Sequence, residues 1–338
     1  MNIGILGAGS WAIALAVLLN NRKHSVTMWE FNPTDAEMLR TKREHPQKLP
    51  GIFLPPEITI TNTINDIFNG ADYIVAAVPS QTMRVTMQAV VKQVSQADRD
   101  AVKAWIIVSK GIECNTLKLM TEIVHDELGL KSTEKIVVLS GPSHAEEVSR
   151  NLPTTIVAAC TDHDHAVKIQ NEFATESFRI YTNHDVVGVE LAASVKNVIA
   201  LAAGICDGLG FGDNAKGALL TRGMVEMIRL GKCMGADEQT FFGLAGIGDL
   251  ITTCISRHSR NRNMGELIAS GLSLSEALAK MTMVAEGVES TRSVYSLAQK
   301  FNIEMPITQE IYRALFEGKP IKLAVRDLMT RGWKSERW

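Results

Sequence analysis

The sequence predicts an α/β domain with a doubly wound, mostly parallel sheet, followed by an all-α domain. Three observations support this fold class. Short apolar runs alternate with helical patterns through the first half of the chain, a glycine-rich turn joins the first run to the first helix, and no strand pattern is found beyond residue 185. The expected domains are therefore residues 1–185 and 186–338, a length that suits two domains with sizeable cores.

The strands of the first domain are expected where apolar runs are bounded by glycine, proline or charged residues. Such runs lie at 2–7, 25–30, 73–78, 104–109, 135–140 and 154–159. Helical patterns between them are clearest at 10–22, 81–95 and 116–128. In the second domain, helical patterns lie at 187–206, 216–234, 262–270, 275–281, 288–301 and 307–316. The alternation in the first part is typical of a sheet that helices cover on both faces.

Composition and charge narrow the functional classes. The 35 basic and 37 acidic residues give a net charge of −2, which argues against nucleic-acid binding. The five cysteines are widely spaced and include no Cys-x-x-Cys pair, so neither a disulfide framework nor a metal site is expected. The uncharged stretch 3–19 begins with glycines and is short for a membrane span. We therefore expect a cytoplasmic protein without stable membrane insertion.

A glycine-rich turn follows the first predicted strand and opens the first predicted helix. From Gly7 to Ala12 it reads GAGSWA, which matches the G-x-G-x-x-G/A pattern of dinucleotide-binding folds. Gly7 permits the tight turn, Gly9 lets a pyrophosphate approach the backbone, and the small Ala12 lets the helix pack closely on the strand. The positive end of the helix then faces the phosphates. The turn therefore predicts a Rossmann-like domain that binds a dinucleotide.

Glu30, at the end of the second predicted strand, bears on the choice of dinucleotide. It lies about 20 residues beyond the glycines, where an acidic side chain can accept hydrogen bonds from the ribose hydroxyls of NAD. A carboxylate at this position would also repel the 2′-phosphate of NADP. We therefore favour NAD as the cofactor without excluding NADP. The alternative is that Glu30 is a solvated strand end.

Polar residues follow several of the predicted strands, at the sheet edge where doubly wound folds bind ligands. Lys110 comes after the strand at 104–109, and the loop after 135–140 reads SGPSHAEE. In this loop Ser143 can either cap a helix or bind a ligand. His144 is either a general base or a surface residue. The residues alone leave both alternatives open.

The predicted second domain contributes a lysine and a basic turn. Lys196 lies in an almost wholly apolar helical pattern, so it is either an acid/base catalyst with a lowered pKa or one half of a structural ion pair with an acid such as Asp249. Residues 256–262 read SRHSRNR just before a helical pattern. Arginines and a serine N-cap at a helix start are suited to an anion. A solvated basic turn fits these residues as well.

The order of these motifs resembles that of the bacterial-type NAD(P)-dependent glycerol-3-phosphate dehydrogenases. The resemblance rests on GAGSWA at 7–12, VPS at 78–80, SKGIE at 109–113, SGPSHAEE at 140–147, VKN at 195–197, GLAGIGDL at 243–250, SRN at 259–261 and VAEG at 284–287. It implies an oxidoreductase that interconverts sn-glycerol 3-phosphate and dihydroxyacetone phosphate with NAD or NADP. Such an enzyme supplies glycerol 3-phosphate for glycerophospholipid synthesis. The resemblance also implies a homodimer.

The same resemblance implies roles for individual residues. Lys196 would be the proton acceptor and therefore the catalytic residue. The substrate would contact Lys110, Gly141, Ser143, Lys196, Asp249, Ser259, Arg260 and Asn261. In addition to Gly7, Gly9 and Glu30, the cofactor site would be lined by Ser10, Trp11, Lys110, Ala145, Arg260, Val284 and Glu286.

The chain departs from this family at two places, and two rival functions remain. Ala12-Ile13 stands where the family usually has Gly-Thr, and Glu30-Phe31 stands where it often has an arginine that can meet the 2′-phosphate. The second departure puts NADP use in doubt. One rival is another lysine-dependent dehydrogenase, acting on a 3-hydroxy acid, which would need a carboxylate clamp. The other is a non-catalytic NAD-binding regulator, which would tolerate the loss of Lys196.

Overall fold

The first domain is built on a single sheet. The computed structural model describes residues 1–333, 335 and 336. The strands are β1 (Asn2–Leu6), β2 (Ser25–Trp29), β3 (Thr59–Thr61), β4 (Tyr73–Ala76), β5 (Ala104–Ile107), β6 (Ile136–Ser140), β7 (Thr154–Ala159) and β8 (Phe178–Asn183). They lie in the order β3-β2-β1-β4-β5-β6-β7-β8, and only the β6–β7 pair is antiparallel. The predicted doubly wound, mostly parallel sheet is confirmed.

Helices cover both faces of this sheet. They are α1 (Ser10–Asn21), α2 (Pro33–Lys42), α3 (Met83–Gln93), α4 (Gln96–Ala101), α5 (Met120–Leu128), α6 (Ala145–Val148) and α7 (His163–Phe173). One apolar core includes Leu15 of α1 and Phe173 of α7. The core on the other face includes Met87 of α3 and Ile123 of α5. The sheet is therefore buried on both sides, as its nearly continuous apolar strands require.

The sequence analysis missed β3 and β8 at the two edges of the sheet. The other strands were predicted from continuous apolar runs, which are typical of strands buried on both faces. In β8, Phe178 and Ile180 are buried whereas Arg179 and Tyr181 are exposed, so this strand alternates instead. β3 has only three residues, too few for a pattern. Helices α2, α4 and α7 were also not predicted.

The second domain is helical, as predicted. Its helices are α8 (Val186–Gly208), α9 (Gly212–Cys233), α10 (Glu238–Phe241), α11 (Asp249–Ile255), α12 (Arg260–Ala269), α13 (Leu274–Lys280), α14 (Glu286–Phe301), α15 (Pro306–Phe316) and α16 (Ile321–Met329). A π-helical turn at Leu244–Gly248 leads directly into α11. Within the part of the chain that the structure describes, no strand follows β8. Helices α10, α11 and α16 were not predicted.

Helix α8 forms the centre of the second domain. It is long and apolar enough to span a membrane, but 89% of its most apolar window is buried inside the protein. Its contact with α12 is close because the two helices meet at glycines. A Cβ on Gly204 would lie 1.9 Å from the backbone oxygen of Arg262, and one on Gly265 would lie 2.1 Å from that of Leu201. This contact sets the N-terminus of α12 beside the part of α8 that carries Lys196.

Candidate active site

A cleft with a volume of about 1010 Å³ lies between the two domains. One wall is formed by loops at the carboxyl ends of β1, β2, β4, β5 and β6, and the other by α8, α11, α12 and the segment before α14. Of the site residues predicted from the sequence, those that line the cleft are Gly7, Gly9, Ser10, Trp11, Glu30, Lys110, Ser143, Ala145, Lys196, Asp249, Ser259, Arg260, Asn261, Val284 and Glu286. Gly141 lies behind the cleft wall.

The glycine turn after β1 has the geometry that its motif predicts. Gly7 has a φ of +107°, and a Cβ on it would lie 2.8 Å from the backbone oxygen of Ala77. A Cβ on Gly9 would point into open space. Gly9 occupies the N-cap position of α1, so no side chain bonds the N–H groups of the first helical turn. These groups and the helix dipole can therefore hold an anion, and the turn fits the pyrophosphate of a dinucleotide.

Glu30 lines the cleft together with a lysine that the sequence analysis did not single out. Its side chain is only 10% exposed. One carboxylate oxygen accepts the N–H of Asn32 at 3.0 Å, and the other accepts Nζ of Lys48 at 3.1 Å. Glu30 is therefore not a solvated strand end. Glu30 was expected to repel a 2′-phosphate as an unpaired carboxylate. Its ion pair with Lys48 offsets that negative charge, so this reason for preferring NAD no longer holds.

Two lysines share one carboxylate inside the cleft. Nζ of Lys196 lies 3.0 Å from Oδ1 of Asp249, and Nζ of Lys110 lies 2.7 Å from Oδ2. Lys196 also donates to Oγ1 of Thr253 at 2.7 Å, and Thr253 donates to Asp249 at 3.1 Å. Asp249 and Thr253 are one helical turn apart, so they share a face of α11. Lys196 therefore both forms an ion pair with Asp249 and lines the cleft. The two roles that the sequence left open, acid/base catalyst and one half of an ion pair, are compatible.

Burial and charge set the protonation of this cluster. Burial lowers the pKa of Lys196 to about 8, with the ammonium of Lys110 acting in the same direction and Asp249 opposing both. Burial alone would raise the pKa of Asp249, but the two ammonium groups more than offset it, and this pKa lies below its usual value. At neutral pH Asp249 is therefore charged. Lys196 can gain or lose a proton close to neutrality, as an acid/base catalyst must.

The loop after β6 supports Lys110. Gly141 has a φ of +137°, and a Cβ on it would lie 2.9 Å from Cα of Ile156 in β7, so a larger residue does not fit. Its backbone oxygen accepts Nζ of Lys110 at 3.2 Å and Oγ of Ser143 at 2.9 Å. The N-cap position of α6 is occupied by His144. Ser143 therefore does not cap the helix, which corrects one of its two predicted alternatives.

The N-terminus of α12 faces the cleft with fewer arginines than the sequence suggested. Ser259 is the N-cap, and its hydroxyl accepts the N–H of Arg262 at 3.2 Å. The Arg262 guanidinium turns away and pairs with Asp207 at 2.6 Å. Neither Arg262 nor Arg257 lines the cleft, whereas Arg260 does. The predicted three-arginine cradle is therefore reduced to one arginine, a capped helix start and the positive end of its dipole.

Asn261 and Glu286 are held by hydrogen bonds between elements. The Asn261 side chain donates to Oδ1 of Asn197 at 2.8 Å and accepts the N–H of Gly287 at 2.9 Å. The Glu286 carboxylate accepts both the N–H and the hydroxyl of Ser80, which follows β4 in the other domain. Burial raises the pKa of Glu286. These bonds tie α8, α12 and the start of α14 together and join the helical domain to the sheet.

Several cleft-lining residues were not assigned to the site from the sequence, among them Lys48, Asn197, Thr253 and His258. Asn197 lies in the quoted VKN motif. Thr253 lies one helical turn beyond Asp249, and this spacing indicates that the two side chains share a helix face. Lys48 offered no local signal, because it meets Glu30 from 18 positions away along the chain.

Comparisons with known proteins identify the family of this chain. The family model of the NAD-dependent glycerol-3-phosphate dehydrogenase N-terminus matches residues 2–166, and that of the C-terminus matches residues 185–326. Proteins named glycerol-3-phosphate dehydrogenase (NAD(P)+) from Chlorobium phaeobacteroides strain BS1 and Prosthecochloris aestuarii are 49% and 48% identical over 336 residues. These alignments cover 99% of this chain and 99% and 100% of the two relatives.

A solved structure supports the same assignment. The crystal structure of glycerol-3-phosphate dehydrogenase from Coxiella burnetii superposes with a TM-score of 0.91 at 35% identity. The match covers 97% of this chain and 98% of that one. The resemblance found in the sequence is confirmed, and the chain belongs to the NAD-dependent glycerol-3-phosphate dehydrogenase family of oxidoreductases.

Proposed function

We propose that this chain interconverts sn-glycerol 3-phosphate and dihydroxyacetone phosphate with NAD(P), and that Lys196 exchanges the proton on the C2 oxygen. The observation that carries this proposal is the position of the Lys196 amine. It lies 3.0 Å from Asp249 in a cleft that also contains the glycine turn and the start of α12. A titratable amine between a dinucleotide site and an anion site suits hydride transfer to a phosphorylated ketone.

In this proposal the two domains bind mainly different molecules. Residues 1–185 supply most of the dinucleotide contacts, and residues 186–338 supply most of the substrate contacts. The cofactor wall consists of Gly7, Gly9, Ser10, Trp11, Glu30, Lys110, Ala145, Arg260, Val284 and Glu286. When bound, the cofactor supplies the hydride donor or acceptor at C4 of its nicotinamide ring. The task of the protein is to hold the substrate carbon in the reactive geometry and to exclude water.

Lys196 moves the proton in both directions. During oxidation its neutral amine accepts the hydroxyl proton from the C2 oxygen, and during reduction its ammonium returns that proton. Lys110 places a second positive charge beside the oxygen and stabilises the negative charge that develops on it. Asp249 orients the two amines, and Thr253 holds Nζ of Lys196 in place.

The pH dependence of glycerol 3-phosphate oxidation follows from this role. The pKa of Lys196 is about 8, and only the neutral amine can accept a proton. We expect kcat/KM for glycerol 3-phosphate to rise with pH up to about 8 and to level off above it. Below that pH, kcat/KM should fall about tenfold per pH unit. Stopped-flow measurement of cofactor reduction between pH 6 and 9.5 checks this, and a flat profile would contradict it.

The substrate phosphate is assigned to the N-terminus of α12. Ser259 caps this helix, the helix dipole is positive at that end, and Arg260 adds a guanidinium. Asn261 and Ser143 supply the remaining polar contacts, with Gly141 holding Ser143 and Lys110 from behind. A 3-hydroxy acid would bring a singly charged carboxylate instead of a dianion, so this site favours the phosphorylated substrate.

The cellular setting is part of the same proposal. The enzyme supplies glycerol 3-phosphate for glycerophospholipid synthesis and works in the cytoplasm as a homodimer. The cytoplasmic assignment rests on the five widely spaced cysteines, and the dimer rests on the family resemblance. Sedimentation equilibrium of the full chain checks the dimer.

The reaction is tested by following NADH and NADPH absorbance during the reduction of dihydroxyacetone phosphate. We expect saturable cofactor oxidation that depends on this substrate, and far less with a 3-keto acid at the same concentration. Turnover of the keto acid alone would favour the rival hydroxy-acid dehydrogenase. NADH binding without any turnover would favour the non-catalytic regulator.

Replacement of Lys48 by methionine is expected to weaken NADPH binding selectively. The Lys48 ammonium can turn from Glu30 to a 2′-phosphate, and without it Glu30 would repel that phosphate. We expect the Kd of NADPH to rise about tenfold and that of NADH to change less than about threefold. Fluorescence titration measures both, with the exposed Lys42→Met on α2 as the control. Equal changes for both cofactors would contradict this role.

A further inference from the structure

Two imidazole rings meet across the cleft, one from each domain. His144 lies in the loop after β6, and His258 directly precedes Ser259 at the start of α12. Their ring centroids are 5.8 Å apart, and both rings line the cleft. We propose that His144 is a positioning residue that takes up a proton from solvent when a dianionic phosphate binds at the start of α12. The inference rests on the assignment of the substrate phosphate to that helix start.

The His144 ring has a nitrogen without a partner. Its Nε2 is buried and makes no hydrogen bond among the described residues. His45 and His165 also have such a nitrogen, but each has a carboxylate oxygen nearby, at 3.6 Å and 3.4 Å respectively. No ion pair of this kind involves His144 in the described part of the chain. A buried polar atom without a hydrogen-bond partner in a cleft indicates that a proton or a ligand supplies the missing hydrogen bond.

The charges around His144 favour a neutral ring while no anion is bound. Burial lowers the pKa of His144, and the Lys196 ammonium lowers it further. The groups that act in the opposite direction are Glu146, Glu147 and Asp249. Asp249 is already shared between two lysines, so its effect on His144 is largely cancelled. The other residue of the helical domain that lies against the His144 ring is His258, which offers no negative charge.

A dianion beside Ser259 would reverse this balance. Two negative charges next to the ring favour its protonated form, so the pKa of His144 rises when the anion binds. The proton comes from solvent and stays on the imidazole, and no bond of the substrate is broken. Since the bound state holds more protons than the free state, affinity for the dianion should increase as the pH falls. Proton uptake at this residue therefore couples substrate binding to pH independently of Lys196.

The test is calorimetric titration of the NADH-loaded protein with sulfate. Sulfate stays dianionic from about pH 6 to 8, so it contributes no proton change of its own. Repeating the titration in buffers of different ionisation enthalpy gives the number of protons taken up. We expect an uptake of about half a proton or more near pH 7 in the wild type. In His144→Gln this uptake should fall at least about threefold, whereas the exposed control His163→Gln should retain it.

Two further readouts separate a titrating role from a structural one. Between pH 8 and 6.5 the wild-type Kd for sulfate should fall about threefold to tenfold, whereas His144→Gln should retain at most the roughly twofold change that protonation of Lys196 contributes. If that variant fails to fold, ring-proton NMR of the wild type with and without sulfate replaces it, and one histidine pKa should rise by about one unit. The proposal would be overturned if the heat of sulfate binding to the wild type did not depend on the buffer. It would also be overturned if His144→Gln took up as many protons as the wild type. Failure of the proposed reaction would appear separately, as absent turnover of dihydroxyacetone phosphate by the wild type.

Discussion

Replacement of Lys196 by methionine is expected to lower kcat by about 10³- to 10⁴-fold and to leave the Kd of NADH within about threefold. Methionine fills most of the space of the lysine stem but cannot exchange a proton. Most of the predicted nucleotide contacts lie on the sheet domain and Lys196 is not among them, so cofactor binding should survive. Steady-state reduction of dihydroxyacetone phosphate measures the first effect, and fluorescence titration with NADH measures the second.

Lys216 provides a matched control for this variant. It also pairs with a carboxylate of the helical domain, that of Asp207, but it does not line the cleft. Lys216→Met should therefore keep kcat within about twofold of the wild type. If Lys196→Met retained a kcat within tenfold of the wild type, Lys196 would have no part in the proton exchange.

Replacement of Asp249 by asparagine is expected to lower kcat by about 10²- to 10³-fold. The change leaves the ammonium groups of Lys110 and Lys196 close together in a buried site without their countercharge. It also removes an attraction that raises the pKa of Lys196. The midpoint of the pH profile for oxidation should therefore move to lower pH, by about one unit or more. Pre-steady-state oxidation of glycerol 3-phosphate across pH measures both effects.

The control for this second variant is Asp207→Asn. Asp207 pairs with Lys216 and Arg262 outside the cleft, so its loss removes a comparable carboxylate from the same domain. It should change thermal stability without moving the midpoint of the pH profile. An Asp249→Asn enzyme with an unchanged midpoint would show that Asp249 does not set the protonation of Lys196.

The parts of the site that sequence reasoning found were those with local signatures. The glycine turn was predicted because Gly7, Gly9 and Ala12 occupy fixed positions between a strand and a helix. Lys196 stood out because a charged side chain in an apolar helix needs a partner or a function. Ser259 was recognised as an N-cap because it directly precedes a helical pattern. Each of these signals needs only a few neighbouring residues.

Other features failed because their cause was not local. The sequence left His144 as either a general base or a surface residue, and only the folded structure places it in the cleft beside His258. Arg262 looked like a member of the anion site, but Asp207 of α8 holds it elsewhere. Glu30 looked like an unpaired acid until the chain brought Lys48 beside it. In each case a partner distant along the chain decided what the residue does.

The sequence by itself determined the fold class, the dinucleotide turn and the family, since hydrophobic periodicity and short motifs encode all three. The tertiary structure alone decided which charged groups pair and which face the cleft. The bond between Lys110 and Asp249 joins residues 139 positions apart, and it exists because the loop after β5 and α11 meet in the cleft. Ion pairs and pKa values depend on distance and burial, and neither quantity is defined until the helices have packed against the sheet.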